Sequence, residues 1–554
     1  MDLAGACAAV EQASQGLAHP AHRQAAEATL LEFRRSPHAL PACRHILEHS
    51  AVTEAQFQAA ATLRDAALRD WSALPHAERV GLRQFCLGAA LRTNPVPPPV
   101  VLSQLVSTLA VLLKRAWLDD DADRGAMLAE AEAAVASAST SAARRTGLKL
   151  FAAVISEFSP STASPMNLPW DFHERCRASL EADFLLHFFA HGAGIARRCH
   201  ESGAASTGRD EGVCVAALEL MTTALAWDFA RGGAGAGSGA FALERRRLRG
   251  GGDGPLDKDS KITPGAPWRD ALLAPGALDW LFDLHETTER AIVDVATSAE
   301  HRAASRSNNI SSENLRALLA TCAASRVACA SACALSGDVF PSLAEDPADA
   351  FRRAHFERCM RSVRATLAPA PEAVGRAVMV GSFPGGGEGA PPGVALGPGY
   401  FLDALAGGAR ALASLAAIHP PADFASPRSD GTRLLGELTL ELLRRGALAV
   451  ESEGDAPAGV ERVRPVRHDE LLVAVEYVHQ HLGESLRNHN TTQSAKSFLA
   501  ARGLGSAAPR LEQRPRRRCR ARSCWRSWLP PPSSCRPSPG PWTQHPHRPR
   551  PSRP

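Results

Sequence analysis

Between residues 57 and 71 the run "FQAAATLRDAALRDW" sets Phe57, Ala60, Ala61, Ala67, Leu68 and Trp71 on one side of a helix. Gln58, Thr62, Asp65 and Arg69 recur at i, i+4, i+7 and i+11 as a separate polar stripe. Residues 102–117 follow the same logic, with Leu102, Leu105, Val106, Leu109, Leu113, Ala116 and Trp117 on the apolar face. Proline sets the boundaries, at Ser36-Pro37, Leu74-Pro75, Asn94-Pro95 and Ser159-Pro160, because it stops one helix or opens the next. The first 160 residues therefore read as a series of helices.

Four of these helices close in the same way. "LLEFRRSP", "ALRDWSALP", "LKRAWLDDD" and "VISEFSPS" each end on an aromatic followed by polar or helix-breaking residues. The aromatics are Phe33, Trp71, Trp117 and Phe158, spaced 38, 46 and 41 residues apart. Two helices and two turns in roughly 40–47 residues is the period of HEAT-type repeats. A lone hairpin of this kind cannot bury its apolar face, so it stacks on the next and the aromatic fills the seam. The expected fold is all-α, a HEAT/armadillo-like helical-repeat superhelix, or α-solenoid.

Regularity fades further along. Residues 1–160 are expected as the N-terminal repeats and 161–230 as further helical repeats, including "ALELMTTALAWDFA" at 217–230. A Gly/Arg-rich insertion, expected to be flexible, spans 231–266 with its core at 231–254. Helical repeats resume over 267–370, a Gly/Pro-rich loop covers 371–399, and 400–500 reads as helical at 400–418, 432–451 and 468–486. Residues 505–554 lose all periodicity and read as a disordered, dispensable tail translated out of frame or through an unspliced intron.

Composition supports helix: the chain is rich in Ala, Leu and Arg, and aromatics make up only 5%. Its 554 residues exceed one compact domain, which fits an elongated array. Twelve Arg against Glu512 put +11 in the last fifty residues, which leaves −7 for residues 1–504 of a +4 chain. The body is acidic, and its expected partners are basic surfaces rather than nucleic acid or membrane. Glu11 interrupts the apolar N-terminus, which is not read as a signal peptide, and no uninterrupted apolar run reaches bilayer length. Thirteen scattered cysteines without a framework spacing read as reduced, mostly buried thiols.

Candidate chemistry is sparse. "HILEH" at 45–49 matches the letters of an inverted zinc-protease motif, but no downstream carboxylate ligand accompanies it, so it reads as an ordinary helix. "GAGSGA" at 235–240 follows a helix rather than a strand and reads as a loop. Cys322, Cys329 and Cys333 share a helix face at a spacing too wide for a metal and read as small-residue packing. "RPRRRCRAR" at 514–522 has the form of an import signal but lies in the suspect tail. No catalytic, metal or cofactor-binding set emerges, and no enzyme is expected.

At the repeat boundaries a resemblance becomes specific. "AHRQAAEATLLEFRRSPHALPACRHILEHS", "FQAAATLRDAALRDW", "VLLKRAWLD" and "LFAAVISEFS" resemble the N-terminal repeats of the exportin-4 family, nuclear export receptors of the importin-β (karyopherin) superfamily. Weaker similarity continues at "LAWDF", "PWRDALLAPGALDWLFDLH" and "CALSGDVFP". The resemblance implies a receptor that binds cargo together with Ran-GTP and shuttles between nucleus and cytoplasm. It also implies weak contacts with phenylalanine-glycine nucleoporins and cargo such as the hypusine-bearing translation factor and transcription regulators. Ran would lie on the second helix of each hairpin, which makes Gln58, Asp65, Arg69 and Lys114 its candidate contacts. An importin-type karyopherin and a helical scaffold without Ran dependence remain open alternatives.

Overall fold

The computed structural model describes residues 2–229 apart from short breaks at 120, 138–139, 160–165, 167 and 208. It then describes 262–302, 312–340 and 346–365, with small pieces at 378–380, 394–396, 415 and 461–462. The expected insertion at 231–254, the helices at 400–418 (except residue 415), 432–451 and 468–486, and the tail at 505–554 lie outside the described residues. So do "GAGSGA" and "RPRRRCRAR".

The N-terminal helices are α1 (Leu3–Gly16), α2 (Arg23–Arg35), α3 (Ala39–His49), α4 (Thr53–Asp70), α5 (His76–Leu91) and α6 (Pro99–Ala116). Next come α7 (Asp121–Ser137), α8 (Ser141–Phe158), α9 (Trp170–Asp183), α10 (Leu185–Glu201), α11 (Ala204–Thr207) and α12 (Val213–Leu225). The predicted proline breaks coincide with the ends of α2, α4, α5 and α8. Local chemistry explains several starts: Pro99 occupies the first turn of α6, where a missing N–H costs nothing. Thr140 caps α8 by accepting from Ala143 N–H. Ahead of α12, Gly212 turns the chain at φ +78°, a conformation that favours glycine.

Packing follows the repeat logic. α1 lies against α2, α3 against α4, α5 against α6 and α7 against α8, while α4, α6, α8 and α12 pack successively side by side. Phe33, Trp71, Trp117 and Phe158 stand at the ends of α2, α4, α6 and α8, and all are buried. The Arg79 and Arg115 guanidiniums lie 5.3 and 5.4 Å from the Trp71 ring centre. Trp117 meets Phe158 and Phe184 edge-on, with ring centres 4.6 and 5.5 Å away.

Two expected faces are shifted. On α4 the buried side runs through Ala55, Ala59, Ala60, Leu63, Ala66 and Ala67, while Phe57 is exposed. Thr62, expected on the polar stripe, is fully buried. α6 keeps an exposed stripe at Val100, Ser103 and Ser107, but from Thr108 to Trp117 it is covered nearly all round, because α4, α5 and α8 occupy its sides. By length and composition alone α6 could cross a bilayer, yet here it is a core helix.

The second stretch joins the same core, whose members include residues from Ala6 in α1 to Val363. It holds α13 (Arg269–Leu273), α14 (Asp279–Arg302), α15 (Ser312–Cys333) and α16 (Asp346–Ala365). Ile262, inside the expected flexible segment 231–266, is held in place: its N–H bonds Ala334 O at 2.9 Å and its carbonyl accepts from Ser336 N–H at 2.7 Å. Within the expected Gly/Pro-rich loop lie β1 (Val378–Val380) and β2 (Val394–Leu396), paired antiparallel; β3 (Glu461–Arg462) runs parallel to β2. These strands are a minor addition to an otherwise helical fold.

Close helix approach has a specific residue behind it at Gly192. A methyl there would sit 3.0 Å from Ala217 O and 3.3 Å from Met221 Cγ, on the facing helix α12. Gly192→Ala is expected to destabilise by about 1–3 kcal/mol through overpacking. Gly88, exposed on α5 with open space around it, provides the opposite case. Gly88→Ala should stabilise by roughly 0.5–1 kcal/mol, because Ala loses less backbone entropy in a helix. Chemical denaturation of both variants checks the pair.

Candidate partner-binding surface

The α4 stripe divides into structural ties and one open charge. Gln58 Oε1 accepts from an Arg34 guanidinium N–H at 2.7 Å. Arg69 donates to Arg34 O at 2.9 Å and to Ser36 O at 3.5 Å, and pairs with Asp70 at 2.7 Å. The hydrogen bond to Asp70 raises the Arg69 pKa and lowers that of Asp70. Gln58 and Arg69 thus fasten α4 to the C-terminal end of α2. Asp65 pairs with its neighbour Arg64 at 3.0 Å, yet its side chain stays 51% exposed. Of the three, it is the group most available to a partner.

Lys114 does not belong to any surface. It is 2% exposed, and its ammonium donates to Glu157 O at 2.5 Å, with Glu157 Oε1 at 3.6 Å and the Phe158 ring centre at 5.5 Å. Burial lowers its pKa, with Glu157 opposing. Its expected role as a Ran contact is therefore corrected: it links α6 to the end of α8.

The "HILEH" residues form no ligand set. His45 and His49 stack at 4.3 Å, His49 Nδ1 lies 3.0 Å from His45 O, and Glu48 is exposed. Cys322, Cys329 and Cys333 are buried along α15, as packing requires.

A polar seam that the sequence reading missed lies between α14 and α15. His285 Nδ1 is 3.0 Å from Ser325 Oγ, and its Nε2 is 3.7 Å from Glu289 Oε1. Together with Cys322 these form three buried donors with their ligand atoms within 4.8 Å of one another. Arg326 already fills the cation position, 3.6 Å from Glu289 Oε1 and 3.7 Å from Cys322 Sγ. A divalent ion would have to displace a buried guanidinium, so the seam reads as a structural charge network. Its only signal in the sequence is two i, i+4 pairs, His285/Glu289 and Cys322/Arg326, on separate helices.

The seam makes stability pH-dependent. Burial, reinforced by Arg326, pushes the His285 pKa down to about 3. Glu289 favours the imidazolium, but it shares its charge with Arg326, and desolvation wins. An unfolded His binds its proton near 6.5, so the contribution is complete above that pH and is lost as pH falls from there towards 3. Acidifying from pH 7 to 5.5 at constant temperature should therefore cost about 1 kcal/mol through His285. His285→Asn should remove that part of the slope in denaturant titrations at the two pH values.

Paired helices stacked along a continuous core define a helical-repeat protein. The family model described as Exportin-4 matches residues 2–241, which span α1–α12. Among curated proteins, Exportin-4 of Dictyostelium discoideum is 25% identical over 165 residues, covering 28% of this chain and 15% of the relative. Exportin-7-B of Xenopus laevis is 32% identical over 101 residues, covering 18% and 9% respectively. The exportin likeness is thereby shown for the N-terminal part of the chain, and these alignments span less than a sixth of either relative's length.

Proposed function

We propose that the chain is a nuclear export receptor, or the N-terminal portion of one, that binds Ran-GTP through its first helical pairs and carries cargo from nucleus to cytoplasm. The observation that carries this reading is the coincidence of the Exportin-4 match with the stacked pairs α1–α12. The acidic body, −7 over residues 1–504, favours basic partners. Cargo of the family's kind, the hypusine-bearing translation factor or transcription regulators, and phenylalanine-glycine nucleoporins complete the proposed set of partners. The receptor works by binding alone, without catalysis or cofactor.

Immobilised chain is expected to retain Ran loaded with GTP and not Ran loaded with GDP. Equal retention of both, or of neither, would make the chain a helical scaffold instead. Asp65 is the test residue within this reading. Asp65→Arg should weaken Ran-GTP binding at least tenfold, about 1.4 kcal/mol, with an unchanged melting temperature. Charge reversal at Arg69 is the poorer probe, because it also cuts the tie to Arg34 O and Ser36 O.

A further inference from the structure

α7 and α10 bring three metal-ligating side chains together. On α10 the run "HFFAH" at 187–191 sets His187 and His191 one turn apart on the same helix face. Their ring centres lie 6.4 Å apart, with the planes inclined by 38°. Glu132 reaches across from α7, and its Oε1 meets His187 Nε2. His191 Nε2 is buried without a hydrogen-bond partner, and the His191 ring stands edge-on to Phe151 of α8 with centres 5.6 Å apart.

We propose that Glu132, His187 and His191 form a zinc site that clips α7 to α10. Two histidines at i, i+4 on one helix face, completed by a carboxylate, are a zinc donor set, whereas calcium and magnesium prefer oxygen alone. Three protein ligands leave a fourth position for water, and the His187 side chain, 53% exposed, opens that position to solvent. Turning the exposed His187 ring towards His191 brings a nitrogen of each to one ion, about 2.0–2.1 Å away. The ion replaces the hydrogen bond between His187 and Glu132. It also supplies the buried His191 Nε2 with the partner it lacks.

The difference from the His285 seam lies in the charge already present. There the Arg326 guanidinium is 3.6 Å from Glu289 Oε1 and holds the place of a cation. Glu132 pairs with no Arg or Lys among the described residues; its partner is His187, whose neutral ring offers a lone pair to a metal. Phe151, stacked on Phe188 at 5.0 Å, backs the His191 ring with an apolar wall that limits its reorientation. Such an ion is a structural clip and takes no part in the proposed binding of Ran.

The full chain, freed of metal with a chelator, is titrated with cobalt(II) and then with zinc. The expected result is saturable cobalt binding with visible d–d absorption and without a near-ultraviolet sulfur-to-metal band, reversed by zinc at micromolar concentration. Zinc should also raise the Tm, because it binds the folded chain alone. His187→Ala and Glu132→Gln should each weaken zinc binding at least tenfold and abolish that rise. Melting of both variants without metal should stay close to that of the parent chain, which separates a lost ligand from a lost fold. Cobalt bound only with a sulfur-to-metal band, zinc affinity unchanged in His187→Ala, or no saturable binding overturns the proposal.

Discussion

Trp117→Ala is expected to destabilise the chain by about 3–5 kcal/mol, the usual cost of deleting a fully buried large aromatic. The indole is 0% exposed and closes α6. It packs edge-on against Phe158 of α8 and Phe184 at the head of α10, and carries the Arg124 guanidinium 5.1 Å from its ring centre. Its removal opens a cavity where three consecutive repeats meet, and the relaxation of rigid helices fills such a cavity only in part. A fall in Tm of roughly 10 °C follows. Thermal unfolding monitored by far-ultraviolet circular dichroism measures it, with Trp117→Phe as the milder companion. An unchanged Tm would mean that the seam does not hold the repeats together.

Lys114→Ala is expected to cost a similar amount, about 3–5 kcal/mol, for a different reason. The variant removes the cation from a buried pair and leaves the Glu157 carboxylate, 10% exposed, without Lys114's charge beside it. Lys114→Met combined with Glu157→Gln keeps the volume while removing both charges, and should recover most of the loss. A double-mutant cycle on these two positions should give a coupling of about 1–3 kcal/mol. Additive effects would show that Lys114 contributes packing alone.

The repeat was legible because its signals are local. Prolines mark the helix ends, and Phe33, Trp71, Trp117 and Phe158 mark the closing turns, so period and boundaries could be read together. The rotation of α4 was less legible because alanines occur on several sides of it, and a methyl group fits a buried or half-buried position equally well. The neighbours α3 and α6 decide the phase, burying Thr62 and leaving Phe57 out. Lys114 is hard to place from sequence for a related reason. A charged residue near a helix end reads as solvated, and only the approach of α8 brings Glu157 to it.

The same limit applies to the interior seam. His285 with Glu289, and Cys322 with Arg326, are ordinary i, i+4 pairs until α14 and α15 are placed together. Gln58 and Arg69 have the spacing of a surface stripe along α4. Their role as ties to Arg34 depends on α2, far earlier in the chain. Only the open carboxylate of Asp65 keeps the character that the stripe implied.

Hydrogen exchange with and without Ran tests the proposed receptor role most directly. Ran-GTP is expected to slow amide exchange in the segment 23–70, which carries α2 and α4 with Asp65 between their contacts, while Ran-GDP leaves it unchanged. Identical exchange with both nucleotide forms, or protection that avoids this segment altogether, would contradict the account.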